Sequence, residues 1–159
     1  MGKLRSDSSS SARLVSRGLR RLVADMRVTS LRIQNFRSIK QLDIELSGTT
    51  ILIGPNNAGK TAILEALRIV LTRRWGQQGT GFTEYDIHLE RQGDDPKTSA
   101  PLSIELRVEE STPGEWADAI LQALDQITQT DPLTGKNSIT LRAAWGWNAG
   151  QEQFEPDWL

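Results

Sequence analysis

The distribution of apolar and polar positions divides this 159-residue chain at Met26. Val28 to Ile33 is rich in β-branched and apolar residues, which predicts a strand. Gln34 leads out of it into a turn at Asn35-Phe36-Arg37-Ser38. Ile39, Leu42, Ile44 and Leu46 then bracket polar residues in a near-alternating second strand. The Ser47-Gly48 punctuation after it points to an antiparallel hairpin. Thr49 to Ile53 is apolar nearly throughout, the pattern of a third strand buried on both faces. Beyond Gly54-Pro55-Asn56-Asn57-Ala58-Gly59-Lys60-Thr61, the residues Ile63, Leu64, Leu67, Val70 and Leu71 recur at three- and four-residue spacing. That spacing predicts an amphipathic helix to about Arg74.

Three glycines between Gly76 and Gly81 predict a flexible loop. Leu102, Ile104, Leu106 and Val108 alternate with polar residues in a half-buried strand. Trp116, Ile120, Leu121, Leu124 and Ile127 give Gly114 to Thr128 a helical pattern. Asp131-Pro132-Leu133-Thr134-Gly135 reads as a turn, and Ile139 to Trp147 as a further strand with Trp145 and Trp147 on one face. An apolar segment begins at Asp157-Trp158-Leu159, and the expectation is a chain that forms the N-terminal part of a longer protein.

Composition narrows the class. The hydrophobic and charged fractions suit a packed core, and the net charge of −1 gives no overall basic field of the kind that marks a nucleic-acid binder. The chain has no cysteine, which excludes a disulfide framework, a thiolate metal site and a cysteine nucleophile. No apolar run approaches the length of a membrane-spanning helix, and a cytoplasmic protein fits these features.

The near-neutral total conceals an uneven spread, since residues 1–25 carry +4 and the remainder −5. The leader holds Ser8-Ser9-Ser10-Ser11 and no aromatic residue. Its Arg-rich, Ser-rich composition resembles a transit peptide, and Met1-Gly2 with Ser6 matches the loose myristoylation pattern. The plain alternative is a disordered basic extension ahead of a folded region over residues 26–159.

Gly54 to Thr61 carries the candidate chemistry. It fits the phosphate-binding pattern G-x-x-x-x-G-K-[ST] and lies between an expected buried strand and an amphipathic helix, as that pattern requires. Gly54, Asn57, Ala58 and Gly59 belong to a loop whose backbone N–H groups would surround phosphate oxygens, with the helix N-terminus adding positive potential. Gly59 lets the backbone approach a ligand, and Asn57 stands where glycine is common and tolerates left-handed geometry. Lys60 would reach the β- and γ-phosphates, and Thr61 would offer its hydroxyl to Mg²⁺.

Other residues carry weaker signals. His88 reads as a surface or core-edge residue, Glu109-Glu110 as a solvated strand end, and Gly135-Lys136 as a turn without the upstream glycine of a phosphate loop. The five tryptophans are most simply packing residues. A GTPase or small-molecule kinase is disfavoured, because no Asn-Lys-x-Asp guanine-reading motif is present.

Leu31-Arg32-Ile33, Asn35-Phe36-Arg37-Ser38, the phosphate-loop pattern and Ile63-Leu64-Glu65-Ala66-Leu67 together resemble the start of RecF-like and SMC-like ABC ATPases. Within that group they resemble above all the OLD-type (overcoming-lysogenization-defect) family of ATP-dependent DNA endonucleases. The resemblance covers Met26 to about Leu71, and Phe82-Thr83-Glu84-Tyr85-Asp86 loosely echoes an acidic segment that follows this helix in OLD-type proteins. It implies an α/β fold: a P-loop NTPase, here an incomplete ABC-type ATPase head, with a mixed sheet and an N-terminal antiparallel hairpin. It further implies ATP and Mg²⁺ as cofactors, a phosphate contact for Arg37, and a parent that acts on DNA and pairs its heads as a homodimer. The Walker B strand ending in Asp-Glu, the signature motif and the acidic nuclease cluster of that family are absent from the sequence, so no catalytic residue is assigned. The alternative function is a truncated nucleotide-binding remnant serving as an interaction module.

Overall fold

The computed structural model describes residues 26–56, 58–72, 81–91 and 93–158, apart from the side chain of Trp158. The leader, Asn57, the expected helix end near Arg74 and all but the last residue of the Gly76–Gly81 loop lie outside the described residues.

Alternating burial builds the first two strands. β1 (Met26–Phe36) and β2 (Ile39–Glu45) pair antiparallel, with Leu31 opposite Ile44, Ile33 opposite Leu42 and Phe36 opposite Ile39. Apolar residues thus face each other on one side, while Arg32 and Asp43 pair on the other at 2.9 Å. The expected hairpin is present, and only Arg37 and Ser38 connect its strands. β3 (Leu102–Glu110) buries alternate residues from Leu102 to Glu110. β4 (Gln129–Thr130) and β6 (Gln153–Trp158) both pair antiparallel with β5 (Asn137–Asn148). The sheet order is β2-β1-β3-β5-β4, with β6 also on β5.

The helix α1 (Lys60–Thr72) buries Ala62, Ile63, Ala66, Ile69 and Val70, a stripe of 3.6-residue period. This is a corrected face, because Leu64 and Leu71, expected on the apolar side, are 61% and 55% exposed. The stripe joins a core of Leu31, Ile33, Phe36, Leu102, Ile104 and Leu106. Complete burial of each such side chain contributes about 1.5–3 kcal/mol. Phe82, Trp145 and Phe154 extend the core as a row of ring contacts at 6.4 and 4.4 Å. Trp147 also meets Phe154, in agreement with the shared face predicted for the two tryptophans.

Two compact units are formed. The described residues of the larger come from 28–108 and 139–158, and those of the smaller from 109–138 with Met26 and Arg27.

Three further expectations are corrected. Thr49 to Ile53 forms no strand, and Ile51 and Ile53 are 75% and 90% exposed. Apolar character alone does not make a strand, which also needs a ladder partner, and no described strand pairs with this run. The helix expected over Gly114–Thr128 contracts to α2 (Asp118–Ala123), which has no buried residue and no side-chain cap at Ala117. Without a face to bury, so short a helix has little to extend it.

The third correction concerns the smaller unit. Glu110 is only 1% exposed rather than a solvated strand end. Its carboxylate accepts hydrogen bonds from the backbone N–H groups of Gly114, Trp116 and Asn137 at 3.3, 2.9 and 2.8 Å. Burial pushes this carboxyl up, but the backbone donors, Asn137 and Trp116 foremost, outweigh it and hold the group below its ordinary value.

Glu110 therefore contributes stability that is present above its ordinary carboxyl pKa and lost as pH falls through the lower folded value. Urea midpoints compared between pH 7 and pH 3 should fall less steeply for Glu110→Gln than for the parent chain. Equal slopes would show that the carboxylate charge is not what these donors hold.

Candidate functional site

The loop Gly54–Thr61 and the β1–β2 turn meet at Gly59. Its φ of +82° lies in the left-handed region that suits glycine. A Cβ there would stand 3.2 Å from Ile39 Cγ1 and 3.5 Å from Ser38 Oγ. The turn thus lies directly over the loop's last glycine, and α1 begins at the next residue. Ala58 N–H donates to Pro55 O at 3.2 Å, and Ile63 N–H to Gly59 O at 2.9 Å, so the loop passes into the helix without a break. The first N–H groups of a helix have no intrahelical acceptor and carry the positive end of its dipole.

An open cleft of about 500 Å³ is lined by Arg37, Ser38, Asn56, Gly59, Lys60 and Thr61, among others. This volume falls within the roughly 300–1,000 Å³ of small-molecule sites. Lys60 folds back, its Nζ donating to Gly54 O and Pro55 O, both at 2.6 Å. Of the predicted site residues, Arg37, Gly59, Lys60 and Thr61 line this one cleft. Gly54 and Ala58 do not line it, though Gly54 O accepts from Lys60 Nζ, and Asn57 is outside the described residues.

Arg37 is held from several sides. Its own φ of +51°, like that of Asn35, departs from strand geometry and turns the chain sharply. Its Nε donates to Asp86 Oδ1 at 2.7 Å, its backbone N–H donates to Asp86 O at 2.7 Å, and its Nη2 stands 3.7 Å from Glu65 Oε1. The Arg37 side chain is 38% exposed and that of Asp86 only 7%. Glu65 is itself gripped by Arg68, whose Nη2 and Nε donate at 2.6 and 2.8 Å. The hydrogen-bonded Arg68 guanidinium keeps the Glu65 carboxyl below its ordinary value, and Arg37 adds to the effect.

The segment that supplies Asp86 was read in sequence only as a loose acidic echo. Asp86 Oδ2 accepts from Thr83 N–H at 2.8 Å and Thr83 Oγ1 at 3.1 Å, which closes a single 3₁₀ turn at Glu84–Asp86. His88, predicted at the core edge, is partly buried there. Its backbone N–H donates to Asn35 O at 2.9 Å, and its Nδ1 lies 2.7 Å from Arg37 O. Phe36 bridges to Ile87. The usable signal was the spacing Thr83-x-x-Asp86, the pattern of a capping box.

Among the described residues no group of three or more His, Asp or Glu could hold a metal ion, and no helix is long and apolar enough to cross a membrane.

The profile of the AAA ATPase domain family matches residues 26–139. The chain is 41% identical over 70 residues to a DNA replication and repair protein RecF of Roseiflexus castenholzii, covering 43% of this chain and 17% of that protein. It is 44% identical over 45 residues to an OLD nuclease of Thermus scotoductus, covering 28% of this chain and 8% of the nuclease. To a DNA double-strand break repair Rad50 ATPase of Methanopyrus kandleri it is 38% identical over 68 residues, covering 42% and 7% respectively. The chain thus matches less than a fifth of the length of each of these relatives, and the likeness to RecF, OLD and Rad50 proteins agrees with the resemblance in sequence.

Gly59→Ala should destabilise the chain by about 1–2 kcal/mol, because strain at positive φ adds to contact with Ile39 and Ser38. Gly114→Ala provides the comparison, since its φ is +76° but nothing lies within 4 Å of the added Cβ. Thermal denaturation should show the larger loss at Gly59. Equal losses would mean that the turn does not press on the loop.

Proposed function

The chain belongs to the AAA ATPase domain family, and we propose on that footing that it is the ATP-binding N-terminal portion of an OLD- or RecF-like ATPase that works in DNA repair or defence. The observation that carries this reading is the single cleft that gathers Arg37, Lys60 and Thr61 beside the first turn of α1. Two cationic side chains, a hydroxyl and the unpaired N–H groups of a helix start are complementary to a polyphosphate. In this reading Lys60 exchanges its bonds to the Gly54 and Pro55 carbonyls for phosphate oxygens, and Arg37 contacts a further phosphate oxygen. The backbone N–H groups of Gly54, Asn57, Ala58 and Gly59 would complete the cradle, Ala58 giving up its bond to Pro55 O.

Mg²⁺ fits the site as a companion of the nucleotide. The Thr61 hydroxyl supplies one oxygen, and Mg²⁺ keeps several waters and takes its other ligands from phosphate. Bound there, the ion would neutralise phosphate charge, while Thr61 sets its place at the helix start.

The lobe reads as an incomplete ABC-type head. Ile51 and Ile53, exposed on a segment with no ladder among the described residues, suit a sheet completed by further polypeptide. In such a parent, ATP would join two heads, and DNA and a nuclease centre would be engaged by other parts of a cytoplasmic, ATP-dependent endonuclease. The same exposed residues also suit the second reading, a nucleotide-binding remnant that serves as an interaction module.

Lys60→Ala tests the site. Calorimetric titration with Mg-ATP should show binding to the parent chain and none to the variant. Unchanged affinity would sink the assignment.

A further inference from the structure

Among the described residues that line the cleft, Arg37 is the one cation that comes from outside the loop and helix. A phosphate contact from it depends on the guanidinium being held in place, since an unrestrained arginine would lose much rotamer freedom on binding. Asp86 meets that need. Its carboxylate divides its two oxygens, Oδ1 for Arg37 Nε and Oδ2 for the N–H and hydroxyl of Thr83. The Asp86 carbonyl also accepts the Arg37 backbone N–H. One 3₁₀ turn therefore grips both ends of the arginine.

The rest of the guanidinium is held far less firmly. Its Nη2 stands 3.7 Å from Glu65 Oε1, beyond hydrogen-bond reach, while Glu65 is occupied by the two-point grip of Arg68. The distal nitrogens can thus reach a new acceptor without breaking the Nε–Asp86 bond. A guanidinium suits this division because its donors form a rigid planar fork. One edge is spent on the carboxylate and the rest remains for the cleft.

We propose that Asp86 is a positioning residue for the nucleotide site, fixing Arg37 through Nε so that its distal nitrogens meet a phosphate oxygen. The inference rests on the assignment of the cleft to Mg-ATP. Asp86 itself touches no ligand and acts only through Arg37, with Thr83 holding its second oxygen.

A double-mutant cycle on the full chain, read by Mg-ATP titration, tests it. Asp86→Asn should weaken Mg-ATP by about tenfold, as expected for coupled neighbours, and Arg37→Ala by at least as much. In the Arg37→Ala background Asp86→Asn should cost nothing more. A spectroscopic readout accompanies the cycle: heteronuclear NMR should show a slowly exchanging Arg37 Nε–H that Asp86→Asn removes. If Asp86→Asn does not fold, Asp86→Glu takes its place in the cycle, since it keeps the charge but moves the oxygens by one methylene. Equal losses with and without Arg37 would make Asp86 a general support of the fold and overturn the proposal. So would an unchanged affinity in a folded Asp86 variant while Lys60→Ala abolishes binding. If Lys60→Ala leaves the affinity unaltered, the nucleotide reading falls first and this inference falls with it.

Discussion

The two-residue turn between β1 and β2 is pressed from both sides, and the organisation of the cleft depends on it. On one side Ser38 and Ile39 lie against Gly59, where an added Cβ would stand 3.2 Å from Ile39 Cγ1. On the other, Asp86, Ile87 and His88 bind the backbone of Asn35, Phe36 and Arg37. Asn35 and Arg37 adopt left-handed φ values that cost energy for non-glycine residues, and such conformations persist only where surrounding contacts over-determine them. The surplus of hydrogen bonds from the Thr83–His88 segment supplies that over-determination. The cleft is thus lined by two stretches, the turn and the loop with its helix start, and a third, Thr83–His88, braces the turn from behind.

Rigidity in the turn comes from the core beneath it. Phe36 is fully buried, its ring meets Phe82 edge-on at 6.2 Å, and the Arg37 guanidinium carbon lies 5.2 Å from the Phe36 ring centroid. Side chains on either flank of the turn therefore have no free volume into which to relax. Ala62 and Ala66 on α1 bring small residues to the same core, which lets the helix that begins at the loop approach the sheet closely. Displacement of the turn would then be felt at both the loop glycine and the helix.

Much of this was legible in the residues. Near-alternating apolar positions located β2 and β3, and β-branched and apolar enrichment marked β1 from Val28 to Ile33; most of β5 was read as a strand as well, although its burial does not alternate. The loop pattern was legible because its glycines and lysine are fixed by backbone geometry that sequence spacing reflects directly. Thr49 to Ile53 misled because apolar character reports avoidance of water but not the availability of a strand edge. Glu110 misled for the converse reason: a charged residue at a strand end is ordinarily solvated, and here three backbone donors 4 to 27 residues away make burial tolerable. β6 went unread because Gln153–Trp158 carries no clear alternation and contains Pro156, yet it pairs along β5. The Arg37–Asp86 pair could not be read from local spacing, since 49 residues separate its members.

The two carbonyls that Lys60 already engages have a consequence for selectivity. An ammonium group with two short hydrogen bonds to Gly54 and Pro55 has spent two of its three donors, and an anion that displaces those carbonyls gains only the difference between its own oxygens and the amide dipoles. A weakly charged anion offers little beyond what the loop already supplies, whereas an oxygen-rich, multiply charged group offers a large excess. The loop is in this sense its own competing ligand. In the proposed reading, its threshold for occupancy would be set by the charge density of the incomer, before the shape of the cleft selects among candidates.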